Sequence, residues 1–351
     1  MRSIKLDPAY SVTKSYALRS YLLPYSTVEE LIDSRGLEDF VDRLRATPYG
    51  SHLAQIQRPY TPLKVERAFW RNLVDTHFSL MRTSANQPIL ETYFRRHIHV
   101  NLKTVLRGKA LGKTYEEIME AVDPYPETLL RVRDQLMRAV NAKDLQTAVA
   151  EVSKTELGAA AEIALRVWSR RKDLAAFDTV LDRIFLDSLR QAYGRLPRAD
   201  RLDYRKLVSL DLDMGMVITI LRLKSWELPS AEIREFIPQD GIELKGEVVE
   251  RLIGCKEAGE AVDILTEIFT GLRQPEARDF PSLIKGLENM IVAEKTAIAS
   301  KYYYWKPMKN VLTLAILVLK EVEVRNLSTI ATGLYESQTP GNITARLVRT
   351  I

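Results

Sequence analysis

A single cysteine, Cys255, occurs in 351 residues. One thiol cannot close an intramolecular disulfide or build a CxxC metal site, which points to a reducing compartment. Glycine and proline number only 15 each, together well below the roughly 12% of an average chain. Such scarce punctuation favours long helices. Long apolar runs are also missing. The most apolar stretch, Val311–Leu319 (VLTLAILVL), is about half the roughly 20 residues that a membrane-crossing helix needs, so it is expected to be a buried core helix. The opening residues carry Lys5, Asp7 and Pro8 without an apolar core, so no secretory signal is expected. A strong charge of one sign is absent too: 51 Lys and Arg stand against 46 Asp and Glu, a net +5, and nucleic acid is not demanded as a partner.

What is present is length, apolar content and helical period. At about 150 residues per domain the chain has room for two or three cores, and 46% of its residues are hydrophobic. Leu37, Phe40, Val41 and Leu44 fall at i, i+3, i+4 and i+7, one face of a helix. Strand alternation is hard to find. Thr27-Val-Glu-Glu30 and Thr114-Tyr-Glu-Glu117 have the spacing of capping boxes. Breaks are expected at 57–62, 123–126, 194–200, 238–241, 273–281 and 339–342, where Pro, Gly, Asn and Asp gather.

Comparing the chain with itself reveals a unit of about 110 residues. Asn101-Leu-Lys-Thr-Val-Leu-Arg107 is followed by Ile118 and Val122, 11 and 15 residues after the arginine. Met216-Val-Ile-Thr-Ile-Leu-Arg222 is followed by Ile233 and Ile237 at the same offsets, and Asn326-Leu-Ser-Thr-Ile-Ala-Thr332 by Ile343 and Leu347. Thr114, Pro229 and Thr339, all helix-start types, stand seven residues past the last member of each block. A second block agrees: Val41, Val149 and Val262 each precede a glycine (Gly50, Gly158, Gly271) by nine residues. A unit this long is no short solenoid repeat, so three small helical domains are expected at 1–123, 124–238 and 239–351.

Chemistry-bearing patterns are weak. Gly108-Lys-Ala-Leu-Gly112-Lys113-Thr114 resembles a phosphate loop, but Arg107 stands where the loop's first glycine belongs, and the pattern before it is helical. A polar turn ending in a Thr cap is expected instead. His52, His77, His97 and His99 form no metal-ligand spacing, and His97 and His99 point to different sides of a helix; hydrogen-bonded or solvated imidazoles are expected. Lys301-Tyr-Tyr-Tyr-Trp-Lys-Pro307 interleaves basic and aromatic side chains as a single-strand nucleic-acid surface would. Residues 239–351, however, hold 14 Lys and Arg against 15 Asp and Glu, so no electrostatic funnel accompanies it, and core packing or a partner contact is expected. Asp211/Asp213 and Glu321/Glu323 sit at i, i+2 and do not face one another on a helix. No residue is nominated for catalysis, for a cofactor or for a metal.

Asn101–Arg107, Asp213-Met-Gly-Met-Val-Ile-Thr-Ile-Leu-Arg222 and Lys320-Glu-Val-Glu-Val-Arg-Asn-Leu-Ser-Thr-Ile330 resemble the D-x-x-N-[IL]-x-x-x-[LI]-R and K-E-x-E-x-x-N-[IL]-x-x-I signatures of the C-type stalk component of archaeal and bacterial A/V-type ATPases, the counterpart of the eukaryotic d-type component. The resemblance covers essentially the whole chain. Departures are Ile98 for the family's Asp in the first copy, Met216 for its Asn in the second and Thr332 for its Arg in the third. The resemblance implies an all-α fold of three similar helical lobes about a pseudo-threefold axis, shaped as a funnel. It further implies a non-catalytic rotor subunit, one copy per complex, peripheral on the cytoplasmic face of the membrane. Its partners would be central-stalk subunits of the D/F type and the membrane rotor ring, with no nucleic acid and no cofactor, and it would couple ATP turnover to proton or sodium transport. The residues singled out for structure or interface are Asn101, Arg107, Asp213, Arg222, Glu323 and Asn326, with Asn101, Asp213 and Asn326 expected to cap or bridge helices. A helical repeat scaffold for other partners is the alternative, and a P-loop enzyme using Gly112-Lys113-Thr114 a third class.

Overall fold

The computed structural model describes residues 8–84, 86–155, 158–269 and 277–349. Among the described residues the chain is all-α, with α-helices, one short 3-10 turn and no strand. The longest helices are Pro62–Thr83, Gln87–Ala110, Arg198–Ser225, Phe280–Trp305 and Leu312–Tyr335. Two compact units emerge: one from the described parts of Met1–Leu90, Arg198–Tyr204 and Val292–Ile351, the other from Glu91–Pro197 and Arg205–Ile291. The first unit therefore gathers described residues from the first and the last third of the chain.

In that first unit the stretch Val311–Leu319 is buried throughout. A helix apolar on all sides must be covered on all sides. Helix Leu312–Tyr335 packs chiefly on Pro62–Thr83, with helix Leu37–Leu44 beside it. Leu37, Phe40, Val41 and Leu44 all face this core, as their spacing requires. Phe69 is the hub: Phe40 meets it edge-on at 6.1 Å and Tyr49 at 5.2 Å. Each large side chain buried here contributes about 1.5–3 kcal/mol. Helix Pro62–Thr83 starts with Thr61 Oγ1 accepting from Lys64 N and proline at the first helical position, where a missing N–H costs nothing.

The Thr27 capping box does not form. Helix Tyr25–Glu30 begins two residues earlier behind Pro24, whose carbonyl accepts from Val28 N, so Thr27 lies inside the first turn. Proline, fixed at φ −54° and extended in ψ, sets the entry and displaces the cap. The other expected breaks are loops or helix boundaries, except that residues 273–276 of the fifth lie outside the described residues.

In the second unit, helices Gly158–Arg171 and Ala175–Gly194 pair closely. Lys172 between them adopts a left-handed φ of 57°, and Trp168 lies 6.3 Å from Phe177 across the pair. Gly50 and Gly158 each sit where a Cβ would collide with a backbone carbonyl, of Arg45 and of Ser153. The equivalent Gly271 lies outside the described residues. Val41 and Val149 are core residues, whereas Val262 is half-buried.

Candidate functional site

The three repeated blocks fold into three helix-turn-helix corners of the same construction. Eleven residues after Asn101, Met216 and Asn326, the backbone turns left-handed at Gly112 (φ 68°), Glu227 (57°) and Ser337 (56°). The next amide closes the helix end: Lys113 N donates to Gly108 O at 2.9 Å, Leu228 N to Leu223 O at 3.1 Å and Gln338 N to Gly333 O at 2.8 Å. These are Schellman closures, which satisfy carbonyls that a helix end leaves open. Thr114, Pro229 and Thr339 then start the short helices Tyr115–Ala121, Ser230–Glu235 and Pro340–Thr344. Ile118, Ile233 and Ile343 are buried beneath the turn. In the first and third corners a Cβ on Gly108 or Gly333 would lie 2.7 or 2.6 Å from the isoleucine's Cγ1. Glycine lets the short helix fold back onto the long one there, whereas Leu223 occupies that place in the second corner.

This disposes of the phosphate-loop resemblance by bookkeeping of amides. Gly112 N donates to Lys109 O, Lys113 N to Gly108 O, and Thr114 N to Glu117 Oε2 at 2.8 Å, the last within a complete capping box. All three amides that would cradle a phosphate are committed to the turn.

Behind each corner the chain is tied back to the long helix. Asn101 Nδ2 donates to Asp123 O at 2.7 Å and Asp123 N donates to Asn101 Oδ1 at 3.3 Å, a span of 22 residues. Asn326 repeats this clamp at the same span, with Nδ2 donating to Val348 O at 2.7 Å and Val348 N to Oδ1 at 2.9 Å. The second corner cannot copy it, because Met216 stands for the asparagine and Pro238, at that span, has no N–H. Asp213, one turn earlier, ties this corner instead: its carboxylate accepts from Ile242 N at 2.6 Å and Glu243 N at 3.0 Å. A Cβ on Gly241 would lie 1.9 Å from Asp213 Oδ1, so only glycine permits the approach. Glu323 holds the position of Asp213 in the third copy. It accepts from Leu23 N, from the Tyr49 hydroxyl at 2.6 Å and from Lys320 Nζ at 2.8 Å, fastening the N-terminal part of the chain onto helix Leu312–Tyr335.

Burial sets the electrostatics of these ties. The Asp213 carboxyl is pushed up to about 6 because it is buried, with its backbone amides working against the shift. Glu127, a residue the sequence reading missed, lies buried beside the Asn101 clamp: Asn101 Nδ2 reaches its Oε1 at 2.9 Å and its Oε2 at 3.0 Å, and desolvation pushes it up to about 7. Burial likewise lowers Lys320, opposed by Glu323, and raises the Tyr49 hydroxyl. Tyr49 was missed as well, and Lys320, though it opens the Lys320–Ile330 block, was not nominated. No short-range signal marks Tyr49, which is 274 residues from Glu323, whereas Lys320 lies three residues before Glu323 on the same helix.

Position by position the arginines also find matching places. Arg107 pairs with Asp178 and Arg222 with Glu288, both at 3.3 Å, while Thr332 donates from Oγ1 to Glu66 Oε1 at 3.2 Å. Lys109 and Lys224, two residues further on, donate to Ala142 O and Ile253 O at 2.5 Å, each capping the C-terminal end of a small helix. Thr104, Thr219 and Thr329 bond the carbonyl four residues back, a local role.

Elsewhere, His52 Nε2 meets Asp75 at 2.9 Å and His77 Nε2 meets Leu90 O at 3.0 Å; His97 and His99 are buried. Among the described residues no three His, Cys, Asp or Glu side chains are grouped to hold a metal ion. The Lys301–Pro307 stretch divides. Tyr302 and Tyr303 are core, Tyr303 edge-on to Tyr16 at 5.2 Å, while Tyr304 and Trp305 are 70% and 58% exposed. Lys306 is taken up by Asp203 at 2.7 Å.

A family model described as ATP synthase (C/AC39) subunit matches residues 11–345. The chain belongs to that family. Curated relatives agree over nearly their whole length. The C component of the A-type ATP synthase of Methanocaldococcus jannaschii is 22% identical, over 98% of this chain and 87% of that protein. The protein of the same name from Methanosarcina acetivorans is 25% identical, over 93% and 88%, and that from Thermococcus gammatolerans 22%, over 95% and 88%. The signatures that suggested this C/AC39 resemblance are thus the residues that build the three corners. Among the described residues no helix is long and apolar enough to cross a membrane.

Proposed function

We propose that this C/AC39 family member is a non-catalytic rotor subunit of an A-type ATP synthase, a socket between the central stalk and the membrane rotor ring. Its partners are then D/F-type stalk subunits and the ring, one copy serves each complex, and it sits on the cytoplasmic face of the membrane through protein contacts. The three sequence thirds, 1–123, 124–238 and 239–351, are in this reading three lobes about a pseudo-threefold axis. The observation that carries it is the family match over residues 11–345, joined by curated relatives named as the C component of A-type ATP synthases. The three equivalent corners support it physically. A part that transmits torque needs helices tied to each other at several points, and each corner is closed by hydrogen bonds from a buried side chain to backbone.

In a rotary machine the catalytic head and the ion-carrying ring exchange free energy only through what joins them. Complexes assembled without this chain should hydrolyse ATP and fail to move protons or sodium ions, and adding the chain back should restore transport. The measurement is ATP-driven ion transport beside ATP turnover. Unchanged transport per ATP in its absence refutes the rotor role and leaves a helical scaffold for other partners as the reading. The isolated chain should neither bind nor hydrolyse ATP, checked by nucleotide-induced shifts in melting temperature.

A further inference from the structure

Beside the Glu323 tie, within the first unit, lies a pocket of about 300 Å³. Three elements wall it: the end of helix Pro8–Ser20 and the segment after it, through Arg19, Leu22 and Leu23; helix Phe280–Trp305, through Ser300; and helix Leu312–Tyr335, through Leu319 and Glu323. We propose that this pocket binds a small monocarboxylic acid with a compact apolar body, its carboxylate held by Arg19 and Ser300. The proposal is read from the pocket alone and does not rest on the rotor reading.

Three observations carry it. The half-buried Arg19 guanidinium lies 4.3 Å from the ring centre of Tyr303 and 5.6 Å from that of Tyr304. The rings fix its plane, and among the described residues no carboxylate pairs with it, so its N–H edge is presented without an acceptor. Ser300 is only 3% exposed, and its Oγ is buried with no hydrogen-bond partner among the described residues, a costly state that a bound acceptor relieves. Ser300, Tyr303 and Tyr304 stand at i, i+3 and i+4 on one helix face, so the stacked fork and the spare hydroxyl are neighbours and can close on one carboxylate. The third observation is the apolar wall of Leu22, Leu23 and Leu319, in a space at the lower end of the range of small-molecule sites.

The remaining polar groups of the wall are already committed. Glu323 accepts from Leu23 N and the Tyr49 hydroxyl, and its charge is matched by Lys320 at 2.8 Å. The carbonyls ending helix Pro8–Ser20 are taken internally: Ala17 O by the Ser20 hydroxyl at 2.7 Å, Leu18 O by Tyr21 N and Arg19 O by Leu22 N, both at 3.1 Å. A single guanidinium fork matches one carboxylate in bidentate geometry. A dianion such as phosphate would set its second charge in the same pocket as Glu323, and phosphate sites characteristically use backbone amides, whereas Tyr21, Leu22 and Leu23 have given theirs to Leu18, Arg19 and Glu323. The Leu23 tie to Glu323 also braces the pocket, because it pins one wall onto another.

The test titrates the full chain with sodium isocaproate by calorimetry at neutral pH and low salt. Isocaproamide, which keeps the shape and loses the charge, and acetate, which keeps the charge and loses the apolar body, are the controls. Isocaproate should bind about tenfold tighter than either. Arg19→Gln should remove about that factor, and Arg19→Lys, which keeps the charge without the fork, only part of it. Ser300→Ala should weaken binding about threefold or more without lowering the melting temperature of the free chain, since its hydroxyl has no partner to lose. No saturable binding of isocaproate, equal affinity for the amide, or binding indifferent to Arg19→Gln and Ser300→Ala overturns the proposal. So does inorganic phosphate binding as tightly as the acid. A pentapeptide ending in a free leucine carboxylate that binds more tightly than isocaproate would make the pocket a seat for a partner's chain terminus and equally overturn it.

Discussion

The first and third corners are held by an asparagine amide and the second by a buried carboxylate. Asn101 and Asn326 each give and accept one hydrogen bond with a backbone 22 residues away, a clamp made by a neutral amide, although the Asn101 amide also donates to the Glu127 carboxyl. At the second corner Pro238 removes the donor the clamp needs, and Asp213 accepts two amides from residues 242 and 243 instead. The same mechanical task is thus met by an ionisable group in a buried place. One architecture tolerates both solutions because the tie is to backbone, which every sequence supplies, rather than to a particular side chain.

That contrast can be broken most severely at Gly241. Gly241→Ala puts a methyl on top of Asp213 Oδ1, and we expect a loss of about 3 kcal/mol or more in denaturant unfolding, since the approach is blocked and the buried Asp213 carboxylate loses its two backbone hydrogen bonds. Next come Asn101→Ala and Asn326→Ala, each about 2 kcal/mol. Met216→Asn is the sharper control. It installs the missing asparagine, yet with no amide at Pro238 it should destabilise by about 1–3 kcal/mol, not stabilise; a gain would mean that the clamp tolerates proline.

Titration probes a buried carboxyl at each of two corners, Glu127 beside the Asn101 clamp and Asp213 at the second corner. Glu127 is raised to about 7 from 4.5 and Asp213 to about 6 from 3.8 in the folded chain. A carboxyl raised on folding makes the folded state hold more protons, so stability falls as pH rises between the unfolded and folded values. The stability of the chain should therefore decline from about pH 4 to about pH 7 on account of these two groups. Glu127→Gln should flatten the upper part of that decline by about 1–3 kcal/mol, and denaturant midpoints across this window check it. An unaltered slope would show that Glu127 is not buried in its charged form. The smallest effects belong to the surface braces: Arg107→Ala and Arg222→Ala should each cost under about 1 kcal/mol and lessen with added salt.

Much of this was legible without coordinates. The face made by Leu37, Phe40, Val41 and Leu44 and the burial of Val311–Leu319 follow from period and composition, because a helix must cover its apolar side. Thr114 and Thr339 were readable as helix starts, since a cap acts within three residues. Thr27 misled for the same local reason: the capping pattern was there, but Pro24 opened the helix first. Asn101, Asp213 and Asn326 were singled out as residues that cap or bridge helices, though nothing local says which of the two, or which backbone each bonds.

The sequence by itself determined the helices, their all-α class, the repeated corner and the family, because these rest on neighbours within a few turns or on a pattern copied along the chain. Only the tertiary structure decided that Glu323 fastens Leu23 and Tyr49, that Glu127 sits under Asn101, and that described residues from the first and last thirds of the chain share one unit. Those contacts join residues with no local relation. Burial, which sets the cost of each charge and the value of each hydrogen bond, exists only once the chain has closed around them.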